Sequence, residues 1–318
     1  MLPTDKAILR AALEADLLNF TRYFFKEVLG YKMLVSDHHK LLTKALMAVY
    51  DGKITRLVIN MPPGYTKTEL AVVHFIAWCL TKNERCRFLH VTYSEVLALE
   101  NSSKIRDIIS SDAFQALWPM ELRKDSKAKG AWKNTKGGGM QARAAGGQIT
   151  GFRAGQPEEG FSGAFIVDDP IKPDDAKSML SVDKINNRFN NVFKSRLLTQ
   201  QTPIIVVMQR ISDSDPSAYL LDGGTAETWH HINLPALIDK KTKVKRYKRQ
   251  KRIASKLKDG PLWEYKHSME ELKKLELADP LTYAAQYAQS PTPLGGGLFK
   301  EHWFKTYISN SLILNIFL

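Results

Sequence analysis

Four short runs of apolar, β-branched residues constrain the fold of this chain more than any other feature. They are RLVINM at 56–61, RFLHVTY at 87–93, GAFIVDD at 163–169 and PIIVVMQ at 203–209. Each is nearly continuous in apolar residues and too short for a core helix. That is the pattern of a strand buried on both faces, as in a parallel sheet. Segments with helical spacing lie between them, at 67–80, 94–109 and about 174–198. The alternation predicts a layered α/β domain with helices on both sides of a mostly parallel sheet.

The first fifty residues read as helices instead. One helical stretch stops at Gly30, and Ser36 stands as the N-cap of a second, HHKLLTKALMAVY, which Asp51-Gly52 ends. Apolar residues make up 44% and charged residues 25%, a mix that excludes a disordered or collagen-like chain. No apolar run reaches the ~20 residues of a membrane span. The acids in MLPTDKAILRAALEADLL exclude a secretory signal. Two cysteines, Cys79 and Cys86, frame neither a disulfide scaffold nor a zinc site. They predict reduced, buried thiols in a cytosolic compartment.

The net charge of +13 is concentrated in one place. Eleven of the nineteen residues in KKTKVKRYKRQKRIASKLK, 240–258, are Lys or Arg, and without them the chain is left at +2. Lys240, Lys241, Lys243, Lys245, Arg246, Lys248, Arg249, Lys251 and Arg252 therefore form a candidate nucleic-acid contact. The plainer reading is a solvated loop. The chain is also rich in glycine between 130 and 163, which suggests a twisted hairpin or loop system beside a site.

The strand RLVINM runs directly into Pro62-Pro63-Gly64-Tyr65-Thr66-Lys67-Thr68-Glu69 and then a helix. Strand, turn, Lys-Thr and helix form the layout of a phosphate-binding loop. Backbone N–H groups of residues 63–69 and the helix N-terminus would face the phosphates. Lys67 would meet the β- and γ-phosphates of ATP, and Thr68 would bind Mg²⁺. The spacing departs from the usual motif, because Met61 and Thr66 stand where glycines are expected. About a hundred residues later a strand ends in Asp168-Asp169. Two adjacent carboxylates at a strand's C-terminal end are costly without a cation. Asp168 would help hold Mg²⁺, and Asp169 would orient or deprotonate the attacking water. The next strand ends in Gln209-Arg210, where a polar side chain would sit beside the γ-phosphate.

The order of PPGYTKTE, ITGFRAG, FIVDDPIK and VVMQRISDSDPSAYLL resembles the large subunit of tailed-phage terminases, and so does LTYAAQYAQSPTPLGGGLFKEHWF. The resemblance covers residues 15–305. It implies an additional-strand P-loop ATPase that forms a ring on a portal, works with a small subunit and drives double-stranded DNA into a capsid. It also implies the host cytoplasm, and an arginine in trans, for which Arg153 leads, then Arg143 and Arg210. An adenine-contacting segment would lie near His38 and His39, which otherwise simply start a helix. The expected parts are a helical segment at 1–50, an ATPase core at 51–238, a basic and helical lid at 239–305, and an atypical apolar tail at 306–318. The family's nuclease domain would follow that point, so no nuclease activity is expected from this stretch. Two alternatives stay open: a helicase-like or DNA-repair ATPase, and a DNA-binding fragment that does not hydrolyse ATP.

Overall fold

The structure, a computed structural model, describes residues 3–149, 151–241, 245–253 and 256–292. Lys243, the tail at 306–318 and most of the PTPLGGGLF linker lie outside the described residues.

The four apolar runs form β1 (Arg56–Asn60), β2 (Arg87–Thr92), β6 (Phe165–Asp168) and β7 (Ile204–Met208). They belong to a nine-stranded sheet completed by β3 (Leu122–Ala128), β4 (Ala131–Asn134), β5 (Gly139–Ala144), β8 (Trp229–Asn233) and β10 (Gln250–Arg252). The order is β10-β8-β1-β7-β6-β2-β5-β4-β3. Pairing is parallel from β10 to β5 and antiparallel across β5-β4-β3. The strand β7 is inserted between β1, which leads into the phosphate loop, and β6, which ends in the two acids. That inserted strand defines the additional-strand P-loop architecture. A small antiparallel pair, β9 (Leu237–Ile238) and β11 (Gly260–Pro261), lies apart.

Both sheet faces are buried, as the apolar runs require. Leu57, Ile59, Ile166, Ile205 and Val207 point into one core. Their neighbours Val58, Phe165, Val167, Ile204 and Val206 point into the other. The first core is covered by α1 (Pro3–Ala15), α2 (Leu17–Leu29), α3 (Asp37–Tyr50), α4 (Phe75–Lys82), α5 (Glu95–Ser110) and α6 (Asp112–Leu117). The second is covered by α7 (Met179–Arg188) and α8 (Pro216–Leu221). Leu257, Leu262, Leu272 and Tyr283 bring the C-terminal segment with α9 (Met269–Ala278) onto the first core. Among the described residues no helix is long and apolar enough to cross a membrane.

The structure refines several expectations. Asp16 caps α2 by accepting from the Asn19 N–H and divides the first helical stretch in two. Gly30 ends α2 with φ +79°, which glycine adopts without strain. The helix after the phosphate loop opens with a π-helical turn, Glu69–His74. The long helix expected at 174–198 is instead α7 flanked by 3₁₀ and π turns. The glycine-rich stretch supplies β5 and its hairpin to β4, and β10 arises within the basic run itself.

Candidate functional site

The site forms where β1, β6 and β7 end. Asn60, the last residue of β1, is fully buried. Its Nδ2 donates to the Met208 carbonyl (3.2 Å) and the Ser217 hydroxyl (2.7 Å), and its Oδ1 lies 2.8 Å from His231 Nε2. This fixes the point where the strand turns into the loop. Met61, in place of the first expected glycine, is buried in the core. Gly64 has φ +78° and Thr66 has φ +62°. A β-branched residue in the left-handed region is strained, and two contacts hold it there. The Thr66 hydroxyl donates to the Tyr65 carbonyl (2.6 Å) and lies 2.8 Å from His39 Nε2. His39 Nδ1 accepts from the Ser36 N–H at 2.8 Å, which leaves the ring proton on Nε2, aimed at Thr66. Burial depresses His39 to about 3 and His38 to about 4, so both rings are neutral at pH 7.

Lys67 and Asp168 are buried, and Asp169 is less so. Lys67 Nζ lies 2.9 Å from Asp169 Oδ2. Burial alone would depress the ammonium, but Asp169 and then Asp168 outweigh it and hold its pKa above the ordinary value. The Thr68 hydroxyl donates to Asp168 Oδ2 at 2.9 Å. The other oxygen of Asp168 is buried without a hydrogen-bond partner. Burial, and next the adjacent Asp169 charge, raise the Asp168 carboxyl well above the usual range. Asp169 has φ +39°, and its Oδ1 accepts from the Gln209 N–H at 3.1 Å. Residues a hundred positions apart thus meet as two pairs, Lys67 with Asp169 and Thr68 with Asp168.

The remaining candidates divide between this end of the sheet and elsewhere. The buried Gln209 carries a side-chain carbonyl with no hydrogen-bond partner. Glu69 turns away from the loop to Lys104, at 2.8 Å. Arg210 is buried and committed: its Nε is 2.8 Å from Asp215, its Nη1 donates to the Tyr247 hydroxyl at 2.6 Å, and its Nη2 donates to the Ser212 carbonyl. Arg143 stands at the C-terminal end of β5 and donates to the Gly130 and Ala142 carbonyls. Arg153 is exposed. The backbone beside it docks at the N-terminal ends of the strands, where the Gly155 N–H donates to the Arg87 carbonyl and Ala154 bridges Leu197. Arg153 therefore lies at the end of the sheet opposite Lys67. Lys240, Lys241, Lys245, Arg246, Lys248, Arg249, Lys251 and Arg252 are all exposed. Tyr247, in their midst, is buried against Arg210, and Gln250 reaches His231.

The sequence suggested a lid at 239–305 but not which of its residues meet the loop. Trp263 packs edge-on against His39 (centroids 5.0 Å) and His38 (5.6 Å) and lies 6.1 Å from Tyr65. The Tyr65 hydroxyl is 3.0 Å from His267 Nδ1, and the Ser36 hydroxyl donates to the Leu262 carbonyl. The only sequence signal was an unusual aromatic residue, Tyr65, inside a phosphate loop.

No protein-family model matches the chain, and no curated protein matches it in sequence. Its architecture does match solved structures. A mutant form of the Thermus phage P74-26 large terminase ATPase domain superposes with a TM-score of 0.50 at 12% identity, over 84% of this chain and 98% of that one. The chain has the fold of a large-terminase ATPase domain. The HK97 bacteriophage large terminase aligns at a TM-score of 0.46 and 15% identity, over 70% of this chain. The match spans 44% of the HK97 protein's length.

Proposed function

We propose that this chain is the ATPase part of a tailed-phage large terminase, hydrolysing ATP to drive double-stranded viral DNA into a capsid. The observation that carries the reading is the double pairing of Lys67 with Asp169 and Thr68 with Asp168, each at 2.9 Å, in a terminase ATPase fold. The loop backbone and Lys67 bind the β- and γ-phosphates. An incoming phosphate chain draws Lys67 from Asp169, and Asp169 Oδ2 is then free to take a proton from the attacking water. The Gln209 N–H keeps the other oxygen of Asp169 oriented. The Gln209 side chain, with its unpartnered carbonyl, is suited to hold that water or sense the γ-phosphate. Thr68 and Asp168 fit a magnesium ion, since the buried second oxygen of Asp168 has no other partner. When bound there, Mg²⁺ neutralises charge on the transferring phosphoryl group.

The exposed basic residues around β10 serve the DNA backbone in this reading, and a portal ring and small subunit complete the assembly in the host cytoplasm. Arg153 serves a neighbouring subunit of a homo-oligomeric ring. ATPase assays with Mg²⁺, with and without duplex DNA, test the proposal. Turnover should need Mg²⁺ and rise with DNA. If ~6 of the 240–258 charges neutralise phosphates, the log–log salt slope of DNA binding should be near −5. A protein that turns over no ATP, or a slope near zero, would remove the motor or the DNA part of the reading respectively.

A further inference from the structure

The segment after the basic run does more than cover the phosphate loop. Trp263 and His267 grip it from either side of one turn, in which the Lys266 and His267 N–H groups both donate to the Trp263 carbonyl, at 2.9 and 3.1 Å. Trp263 reaches the paired histidines of α3, and His267 reaches the Tyr65 hydroxyl. Lys266 lies between these two anchors and crosses Gly64. A Cβ added at Gly64 would stand 2.9 Å from Lys266 Cε and 3.2 Å from its Nζ. Glycine at this position meets the left-handed φ, and the end of a lysine side chain contributed from two hundred residues away lies against it.

The charge at this place differs from the cations already placed around the loop. Lys67, Lys104 and Arg210 each have a carboxylate within 3 Å. Among the described residues no ion pair engages Lys266. An ammonium held against a phosphate loop, without a carboxylate of its own, has an oxyanion as its natural partner.

We propose that Lys266 is a second phosphate-contacting cation of the nucleotide site, supplied in cis by the C-terminal segment. The inference rests on the phosphate-loop reading above and adds a residue that the loop motif does not contain. Its ligand is the terminal phosphates of a nucleoside di- or triphosphate. Through Trp263 and His267, occupancy of the loop is then felt by the segment that follows the basic run.

The test is nucleotide binding by wild type, Lys266→Met, Lys266→Arg and Lys67→Ala, titrated with ATP and AMP. Lys266→Met keeps the stem packed over Gly64 and removes only the charge. A charge-assisted contact is worth roughly 10- to 100-fold in affinity. Lys266→Met should lose about that factor for ATP and nothing for AMP, and Lys266→Arg should restore most of it. Thermal unfolding of the two Lys266 variants should match wild type, since Lys266 is exposed. If ATP affinity survives Lys266→Met but collapses in Lys67→Ala, Lys266 only packs, and the inference is overturned while the phosphate site stands. Equal losses for ATP and AMP overturn it as well. If wild type prefers ATP no more than AMP and Lys67→Ala changes nothing, the phosphate-loop reading fails, and the inference falls with it.

Discussion

The two ends of the central sheet are built from the same strands, and both bury charge: at the N-terminal end Arg56 pairs with Glu227 at 2.7 Å and donates to the Thr202 and Gln200 carbonyls. At the C-terminal ends of β1, β6 and β7, charge is buried and paired: Lys67 with Asp169, Thr68 with Asp168, Arg210 with Asp215. Thr66 and Asp169 adopt positive φ there, as does Gln289, whose side chain accepts from the Arg210 N–H, while Ala226, just before β8, does so at the other end. At the N-terminal ends, Arg153 stands in solvent on a backbone held by ordinary hydrogen bonds. At the C-terminal end Asp168 and Gln209 also keep buried side-chain oxygens without a hydrogen-bond partner, and strain and buried charge of this kind cluster at functional sites. On the proposed reading, the C-terminal end carries the chemistry within the subunit and the N-terminal end, with Arg153, faces a neighbouring subunit.

The largest effects should come from breaking that division. Lys67→Ala should abolish hydrolysis, because it removes the buried cation of the loop. Arg153→Ala should bind ATP normally yet lose the activity gained on assembly, where an arginine in trans is worth ~10³–10⁵ in turnover. Mixing the two inactive proteins should recover part of the activity, since each supplies what the other lacks. A mixture that stays inactive while wild type assembles and turns over would strip Arg153 of its role and pass it to Arg143. Asp169→Asn comes next. Its amide cannot accept the proton from water, so single-turnover hydrolysis should slow ~10²–10⁴-fold with Mg·ATP binding retained. Equal loss of binding in Asp169→Asn and Asp168→Asn would erase the distinction between the two acids.

Acid should weaken the site end before it reaches the other. Burial holds His38 at about 4, and His39 and His231 at about 3, against about 6.5 in an unfolded chain. At these three rings the unfolded state therefore binds more protons between these limits, while the raised Asp168 carboxyl binds a proton in the folded state and offsets about one ring. Stability should be complete above pH ~6.5 and fall as pH drops toward 4, by about 1.4 kcal/mol per pH unit for each ring. Urea unfolding at pH 7 and pH 5 reads this directly, and equal midpoints would contradict it. Arg210→Ala should cost about 3–5 kcal/mol, because it leaves the fully buried Asp215 unpaired. Arg153→Ala should stay within about 0.5 kcal/mol of wild type. Similar losses in the two would end the contrast.

The sequence made some of this legible and concealed the rest, for physical reasons. β1, β2, β6 and β7 were readable because strands buried on both faces must be apolar throughout. β5, β8 and β10 were not. GMQARA, WHHIN and QKR carry polar residues, and β10 joins the sheet edge through its backbone while Lys251 and Arg252 remain exposed. Lys67, Thr68, Asp168 and Asp169 could be paired in advance because each ends or follows a recognisable strand. Arg210 stood as a third choice behind Arg153 and Arg143, since nothing local announces that Asp215 and Tyr247 will enclose it. Lys266, and the contact of His39 with Thr66, were hidden for a related reason: spacing along a chain does not reveal which loops close over one another.

The smallest effect tests the strained end most sharply. Thr66 occupies a left-handed position that costs a residue with a Cβ about 1–2 kcal/mol. Its hydroxyl offsets part of that cost by accepting from His39 and donating to the Tyr65 carbonyl. Thr66→Ala keeps the strain and loses both contacts, so it should destabilise the protein by about 1 kcal/mol. Thr66→Gly loses the same contacts but relieves the strain, so it should lie near wild type. Thr66→Ser keeps the hydroxyl and should match wild type as well. The informative quantity is the order, with Gly above Ala by about 1 kcal/mol in chemical denaturation. That order is opposite to the one expected in an ordinary helix, where Ala exceeds Gly by about the same amount. If Ala proves the more stable, the loop at this position is not left-handed in solution. The strain beside Lys67 would then rest on Asp169.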